Sequence, residues 1–187
     1  MFPYLGHFNL DWEKIDRYCN SGLWTELGYP RIKNEDDHWR HQENKQWYND
    51  NNSTVKELWA SEQDFFPDSW FDTLKLRKGR YTAKIFWTKP GNFEPPHVDF
   101  FPSFIGEHNS EGNRWSDEEI ATEGKKILRA WIPLQDSKLG HVLYGDDYAL
   151  TKWKLGDVFE LPSGVRHGFA NGGTKDRLVL VFTGWRK

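Results

Sequence analysis

The sequence predicts a mainly β protein with a layer of N-terminal helices, its strands forming a sandwich or barrel of the jelly-roll type. Three observations carry this. From Tyr81 the pattern changes period: YTAKIFWT is rich in β-branched and aromatic residues, which suit a pleated, half-buried surface. Beyond it, short strand-like stretches recur over 97–101, 127–134, 141–145, 148–153, 157–161, 166–171 and 177–184, with Pro, Gly and Asp between them. Closely spaced short strands separated by turn residues mark sandwiches and barrels. The last stretch, Leu178 to Phe182, is apolar on both faces, so it belongs inside a sheet rather than at its edge.

The bulk numbers fit one domain spanning 1–187, with a helical layer over 1–80 and the β core over 81–187. A chain of 187 residues has room for a real core. Lys and Arg total 25 against 28 Asp and Glu, and a net charge of −3 leaves no footprint for nucleic acid. The 11 Trp, 13 Phe and 7 Tyr are read first as core filling, with the remainder available to line a pocket. The only cysteine, Cys19, excludes an intramolecular disulfide and points to a reducing compartment. MFPYLGHFNL lacks the layout of a signal peptide, and no apolar run is long enough to span a bilayer. The expectation is a cytoplasmic protein without a membrane partner.

In chain order, Asp11 is a candidate N-cap for a helix whose face is marked by Trp12, Ile15 and Cys19, with Gly22 ending it. Residues 31–52 are polar and read as a long connection. Thr54-x-x-Glu57 has the form of a capping box ahead of Leu58 and Trp59. Asp68 is placed as the cap of a third short helix carrying Phe71 and Leu74, closed by Gly79. Among the strands, residues 106–126 are polar and long for a hairpin connection. They fit a lid or a plain surface insertion equally well, with Ser116-x-x-Glu119 positioned to cap a short helix inside them.

The chemistry concentrates in two stretches, GNFEPPHVD over 91–99 and GDVFELPSGVRHGFANGGTKDR over 156–177. His97 and Asp99 are two residues apart in a strand-like run, so both side chains leave the same face. His167 stands beside a later strand. Two histidines and one carboxylate on one face of a metal form the facial triad of non-haem Fe(II) sites, which keeps the opposite positions open. Taken singly, each histidine is more simply a packed, hydrogen-bonded residue, and Asp99 a turn cap; the combined spacing favours ligation. His141 follows Gly140 at a strand start but belongs to no matched pattern, and His38 and His41 read as solvated.

Gly156, then five residues, Pro162-x-Gly164, two residues, His167, three residues and Asn171 together match the second cupin motif. Residues 80–185 therefore resemble the cupin superfamily, whose fold is a double-stranded β-helix. The first cupin motif is met in part: Asp99 stands where a second His is expected, and FFPSF over 100–104 holds no Glu. His-x-Asp, the distal His167 and Arg177 ten residues later resemble the Fe(II)- and 2-oxoglutarate-dependent oxygenases, closest to the aspartyl/asparaginyl β-hydroxylase-like branch. Arg129-x-x-Ile-Pro-Leu134 and Trp153-x-x-Gly156-Asp157 fit that pattern too.

The resemblance implies Fe(II) held by His97, Asp99 and His167, with 2-oxoglutarate as cosubstrate and O₂ as oxidant. Its products are succinate, CO₂ and a hydroxylated C–H bond of an amino acid, peptide side chain or other small molecule. The far carboxylate of 2-oxoglutarate needs a cation, and Arg177 opens the last strand, where a guanidinium fork meets a carboxylate bidentately. Arg129 shares strand parity with Trp131 and is implied as a second contact. The simpler alternative for Arg177 is a surface ion pair with Asp176 or Glu160. Two other readings stay open: a metal cupin of another reaction class, such as an isomerase or a dioxygenase needing no 2-oxo acid, and a ligand-binding cupin without catalysis.

Overall fold

The computed structural model describes residues 1–26, 55–61, 63–99 and 116–187. Its strands are β1 (Tyr4–His7), β2 (Thr25–Glu26), β3 (Val55–Trp59), β4 (Leu76–Thr88), β5 (Phe93–Val98), β6 (Ile127–Pro133), β7 (His141–Gly145), β8 (Ala149–Leu150), β9 (Asp157–Glu160), β10 (Arg166–Asn171) and β11 (Arg177–Arg186). The helices are α1 (Trp12–Cys19), α2 (Asp68–Thr73) and α3 (Asp117–Gly124). A seven-stranded sheet runs β1-β9-β6-β11-β4-β3-β2, and a four-stranded sheet runs β5-β10-β7-β8. Every pairing is antiparallel. This is a cupin-like jelly roll of the double-stranded β-helix type, as the sequence predicts. Among the described residues, no helix is long and apolar enough to cross a membrane.

β11 is the spine of the large sheet, paired to β4 on one side and β6 on the other. Its two faces serve two cores, which is why its apolar residues do not alternate with polar ones. Leu180 and Phe182 face the helices, packing with Ala83, Ile85, Leu128 and Ile132 against Phe65, Phe66, Trp70 and Phe71. Val179 and Val181 face the small sheet, packing with Trp131 and Phe159 against Leu143, Trp153 and Phe2. Aromatic rings supply much of the helical-side core: Phe182 lies 4.9 Å from Phe66 and 5.5 Å from Trp70, centroid to centroid.

The N-terminal segment differs from expectation in kind. Asp11 does cap α1, accepting from the Lys14 backbone N–H at 2.9 Å, and Ser116 with Glu119 does form a capping box on α3. The stretch after Thr54 is not a helix. Val55–Trp59 pairs with β4 from Val55↔Thr88 to Trp59↔Lys84, and Glu57 is buried there. A strand partner for every backbone group outweighs a local capping signal. Helix α2 starts at Asp68 after a Pro67 cap and is followed by Lys75 at φ 54°. Gly79, expected to close that helix, lies inside β4 at φ 75°. β1 and β3 thus join the large sheet, while α1 and α2 cover its outer face. The long connection 31–52 and residues 106–115 of the 106–126 insertion lie outside the described residues.

Candidate metal centre

The two histidines meet because β5 and β10 are neighbours. His167 pairs with His97 across the strands, with ring centroids 4.8 Å apart. The register then slips: Phe169, two residues on in β10, faces Glu94, three residues back in β5. Two residues opposite three is a β-bulge. It falls at Pro95-Pro96, where no backbone N–H is available for the ladder. The extra residue turns Glu94 onto the same face as His97. Gly168 keeps the strands this close, since a Cβ there would lie 2.7 Å from both the Glu94 carbonyl and the Tyr144 hydroxyl.

Asp99 follows β5 and completes the group. One nitrogen or oxygen from each of His97, Asp99 and His167 lies within 4.8 Å of the others. Asp99 Oδ2 is 3.3 Å from His167 Nε2, and Oδ1 is 3.7 Å from His97 Nε2. The His167 Nδ1–H donates to the Val165 carbonyl at 2.9 Å, fixing the ring and turning Nε2 toward the group. With Nδ1 carrying a proton, a neutral His167 aims its Nε2 lone pair at a carboxylate oxygen, and a cation between them satisfies both. The donor set is that of a divalent first-row metal, and it fits.

Arg129 lies against this group. Its Nε is 2.5 Å from Asp99 Oδ2, charge against charge rather than a well-aligned hydrogen bond, and Nη1 donates to Thr183 Oγ1 at 3.0 Å. Burial pushes the Asp99 carboxyl up. The Arg129 guanidinium, then the neighbouring His167 and His97 rings, more than offset that and hold it well below the usual carboxylate range. Arg129, expected as a cosubstrate contact, lies against the Asp99 carboxylate in the structure.

Arg177 is only 1% exposed. Its guanidinium carbon sits 4.4 Å from the Phe169 ring centre and 5.2 Å from that of Trp131, and Nη1 reaches Thr88 Oγ1 at 3.5 Å. It is not the surface partner of Asp176 or Glu160; Glu160 pairs with Arg186 at 2.7 Å. Among the described residues, its Nε and Nη2 have no hydrogen-bond partner, nor has the neighbouring Trp131 Nε1. Burial pulls the Arg177 pKa down to about 9, with Glu94 pushing the other way. Three buried donors without acceptors, one group a cation, suit an anion.

The remaining candidates are committed elsewhere. His141 is buried, with Nδ1 accepting from the Lys138 N–H at 3.3 Å and Nε2–H donating to the Lys175 carbonyl at 3.1 Å. Both nitrogens are used, so it has no lone pair for a metal. Asn171 ties Thr88 and Lys175 together through their carbonyls, at 2.9 and 2.8 Å. Lys84 pairs with Glu57 at 3.0 Å and lies over Trp59. His38 and His41 lie outside the described residues. Glu94 went unseen in the sequence: its Oε1 is 3.7 Å from His97 Nε2. It lies upstream of the histidine, across the bulge at Pro95-Pro96.

No protein-family model matches the sequence, and no curated protein does. Solved structures with a similar arrangement include the cupin domain of Schizosaccharomyces pombe Cnp3, at 11% identity over 70% of this chain and 64% of that one, TM-score 0.40. A cupin 2 conserved barrel domain protein from Salinispora arenicola is 16% identical over 72% of this chain and 76% of that one, TM-score 0.38. KdgF from a Halomonas species is 12% identical over 71% and 80%, TM-score 0.39. The chain thus spans under two thirds of the first of these.

Proposed function

We propose that the protein is an Fe(II)- and 2-oxoglutarate-dependent oxygenase that hydroxylates a C–H bond of an amino acid, a peptide side chain or another small molecule. The observation that carries this reading is Arg177, a buried guanidinium on the barrel's inner face whose Nε and Nη2 have no hydrogen-bond partner among the described residues. A metal centre alone needs no such cation; a cosubstrate with a far carboxylate does. His97, Asp99 and His167 would hold the metal, which when bound would supply O₂ activation and the coupling of 2-oxo acid decarboxylation to hydroxylation. The chain's own part is orientation and shielding. The Val165 carbonyl fixes the His167 ring, Arg129 holds Asp99 ionised, and the Phe169 and Trp131 rings keep Arg177 facing the interior.

The test is anaerobic titration with Fe(II) and then 2-oxoglutarate, watching for a metal-to-ligand charge-transfer band in the visible. The expected result is a band that saturates at one equivalent of metal in the parent protein. Arg177→Leu should bind metal as the parent does and lose roughly a hundredfold or more in 2-oxoglutarate affinity, as for loss of a buried charge partner. Arg177→Lys should fall between, keeping the charge without the fork. No band in the parent, and no succinate with O₂ and candidate substrates, would sink the oxygenase reading. A second reading has Glu94 in its favour. A metal with four protein ligands suits a cupin of another class, an isomerase or a dioxygenase that needs no 2-oxo acid.

A further inference from the structure

We infer that Lys84 anchors a carboxylate of the substrate, so that the molecule acted on is a small carboxylic acid, free amino acids among them. The binding site stands on its own residues; only the fate of the bound acid rests on the proposed function. Lys84, Val181, Trp131 and Phe159 are cross-strand neighbours in one row of the large sheet. Val181, Trp131 and Phe159 pack toward the small sheet, and directly opposed residues share a face, so Lys84 leaves β4 on the inner side. An ammonium thus ends an otherwise apolar row. The adjacent row on the same face holds Thr82, Thr183 and Arg129, and Arg129 lies against Asp99 of the metal group. Two strand spacings and two residues along the strands separate Lys84 from Arg129, about 12 Å between Cα atoms. That spacing suits a small molecule with its carboxylate at Lys84 and its reacting carbon at the metal group.

The ammonium is oriented before any ligand arrives. Its Nζ donates to Glu57 Oε2 at 3.0 Å and lies 3.9 Å from the centre of the Trp59 ring. The Glu57 side chain is 6% exposed and that of Lys84 30%, so the carboxylate is sealed behind a lysine that keeps one side open. Among the described residues, Glu57 is the only hydrogen-bond acceptor of Nζ. An ammonium carries three N–H groups, and two are left for an incoming anion. A purely structural ion pair is a poor account of this place. Desolvating two charges gains little net stability, and an apolar side chain would continue the row of Val181 and Trp131 at lower cost. The Trp59 ring is exposed beside the ammonium and offers a flat apolar surface to the body of a small ligand.

The experiment is fluorine NMR on the whole protein labelled with fluorotryptophan, the Trp59 resonance being the one missing from Trp59→Phe. The probes are the common L-amino acids, their amides, inorganic phosphate and 2-oxoglutarate, each titrated alone. At least one free acid should move the Trp59 resonance in a saturable way, and its amide, which lacks the charge, should not. Glu57→Gln should bind that acid more tightly than the parent, because a negative charge beside the anion is gone. Adding Lys84→Met to Glu57→Gln leaves no buried carboxylate unpaired, so the fold is spared, and should weaken the acid by about tenfold or more. Amides that bind as well as the acids overturn the inference, as does an unmoved Trp59 resonance with every acid. So does equal affinity in the Glu57→Gln protein with and without Lys84→Met. Phosphate moving the resonance where no carboxylic acid does would make this a phosphate site and overturn the carboxylate assignment. If 2-oxoglutarate is the only acid held through Lys84, the residue serves the cosubstrate and the substrate assignment falls. If an amino acid binds through Lys84 yet yields no succinate with Fe(II), 2-oxoglutarate and O₂, the carboxylate site stands and the oxygenase reading falls.

Discussion

At the scale of single residues, Arg177 is a costly group to bury. A buried cation with unpaired donors destabilises the free protein, so removing it has an unusual sign. Arg177→Met should raise the stability of the cosubstrate-free protein by about 1–4 kcal/mol, as replacing buried charge with apolar side chains does elsewhere. It should abolish the thermal shift that 2-oxoglutarate produces in the parent. Denaturant melts with and without 2-oxoglutarate check both halves. His141 gives a pH signature. Burial lowers its pKa, with Lys175 raising it and Arg177 and Lys138 lowering it further. As pH falls below about 6.5 the unfolded chain takes up a proton that the folded ring resists, so stability declines with falling pH. His141→Asn should lower stability at pH 7.5 and flatten that decline; an equal slope in both proteins would refute it. At this scale the sequence was most informative where parity survived. His97 and Asp99 could be placed together from their two-residue spacing at the end of β5, and His167 from the motif spacing around it. Glu94 could not, because an unpaired residue at Pro95-Pro96 reverses the face it points to, and nothing in FEPPH announces the slip.

At the scale of elements, the closeness of β5 and β10 is the feature to disturb. Gly168→Ala places a methyl within 2.7 Å of the Glu94 carbonyl and the Tyr144 hydroxyl. The strands must separate, at a cost of about 1–3 kcal/mol for overpacking. Because His97 and His167 sit on opposite sides of that seam, metal affinity should fall along with stability. Loss of stability alone would show that the seam does not set the ligand distance. Some strand boundaries of the β core were legible from turn residues: His141–Gly145 and Arg166–Asn171 lie where the pattern puts them, whereas the strand expected at 97–101 runs Phe93–Val98 and the one expected at 148–153 is only Ala149–Leu150. The N-terminal elements were less so. Val55–Trp59 carries helix-compatible residues behind a capping signal and becomes a strand because β4 offers it a ladder. That contact is non-local, and no window of sequence contains it.

At the scale of the whole molecule, metal binding should be visible as stability. A ligand at a hundred times its dissociation constant adds about 2.7 kcal/mol. Saturating Fe(II) should therefore raise the melting temperature of the parent. Asp99→Ala should keep its fold, carried by the two apolar cores, and show no such rise. A metal-induced shift of equal size in that variant would remove Asp99 from the ligand set. The position of β11 bears on how the molecule comes together. β4 and β6 are not neighbours until β11 lies between them, yet both precede it by many residues. Before that insertion each has an open hydrogen-bonding edge and an apolar face. Closing the barrel thus needs long-range pairing rather than successive hairpins. Such topologies fold on the millisecond-to-second scale, with the unfilled gap a template for wrong partners. Crowding of nascent or refolding chains is where this protein is most exposed to aggregation, and a short segment with the sequence of β11 would be its natural competitor for that gap.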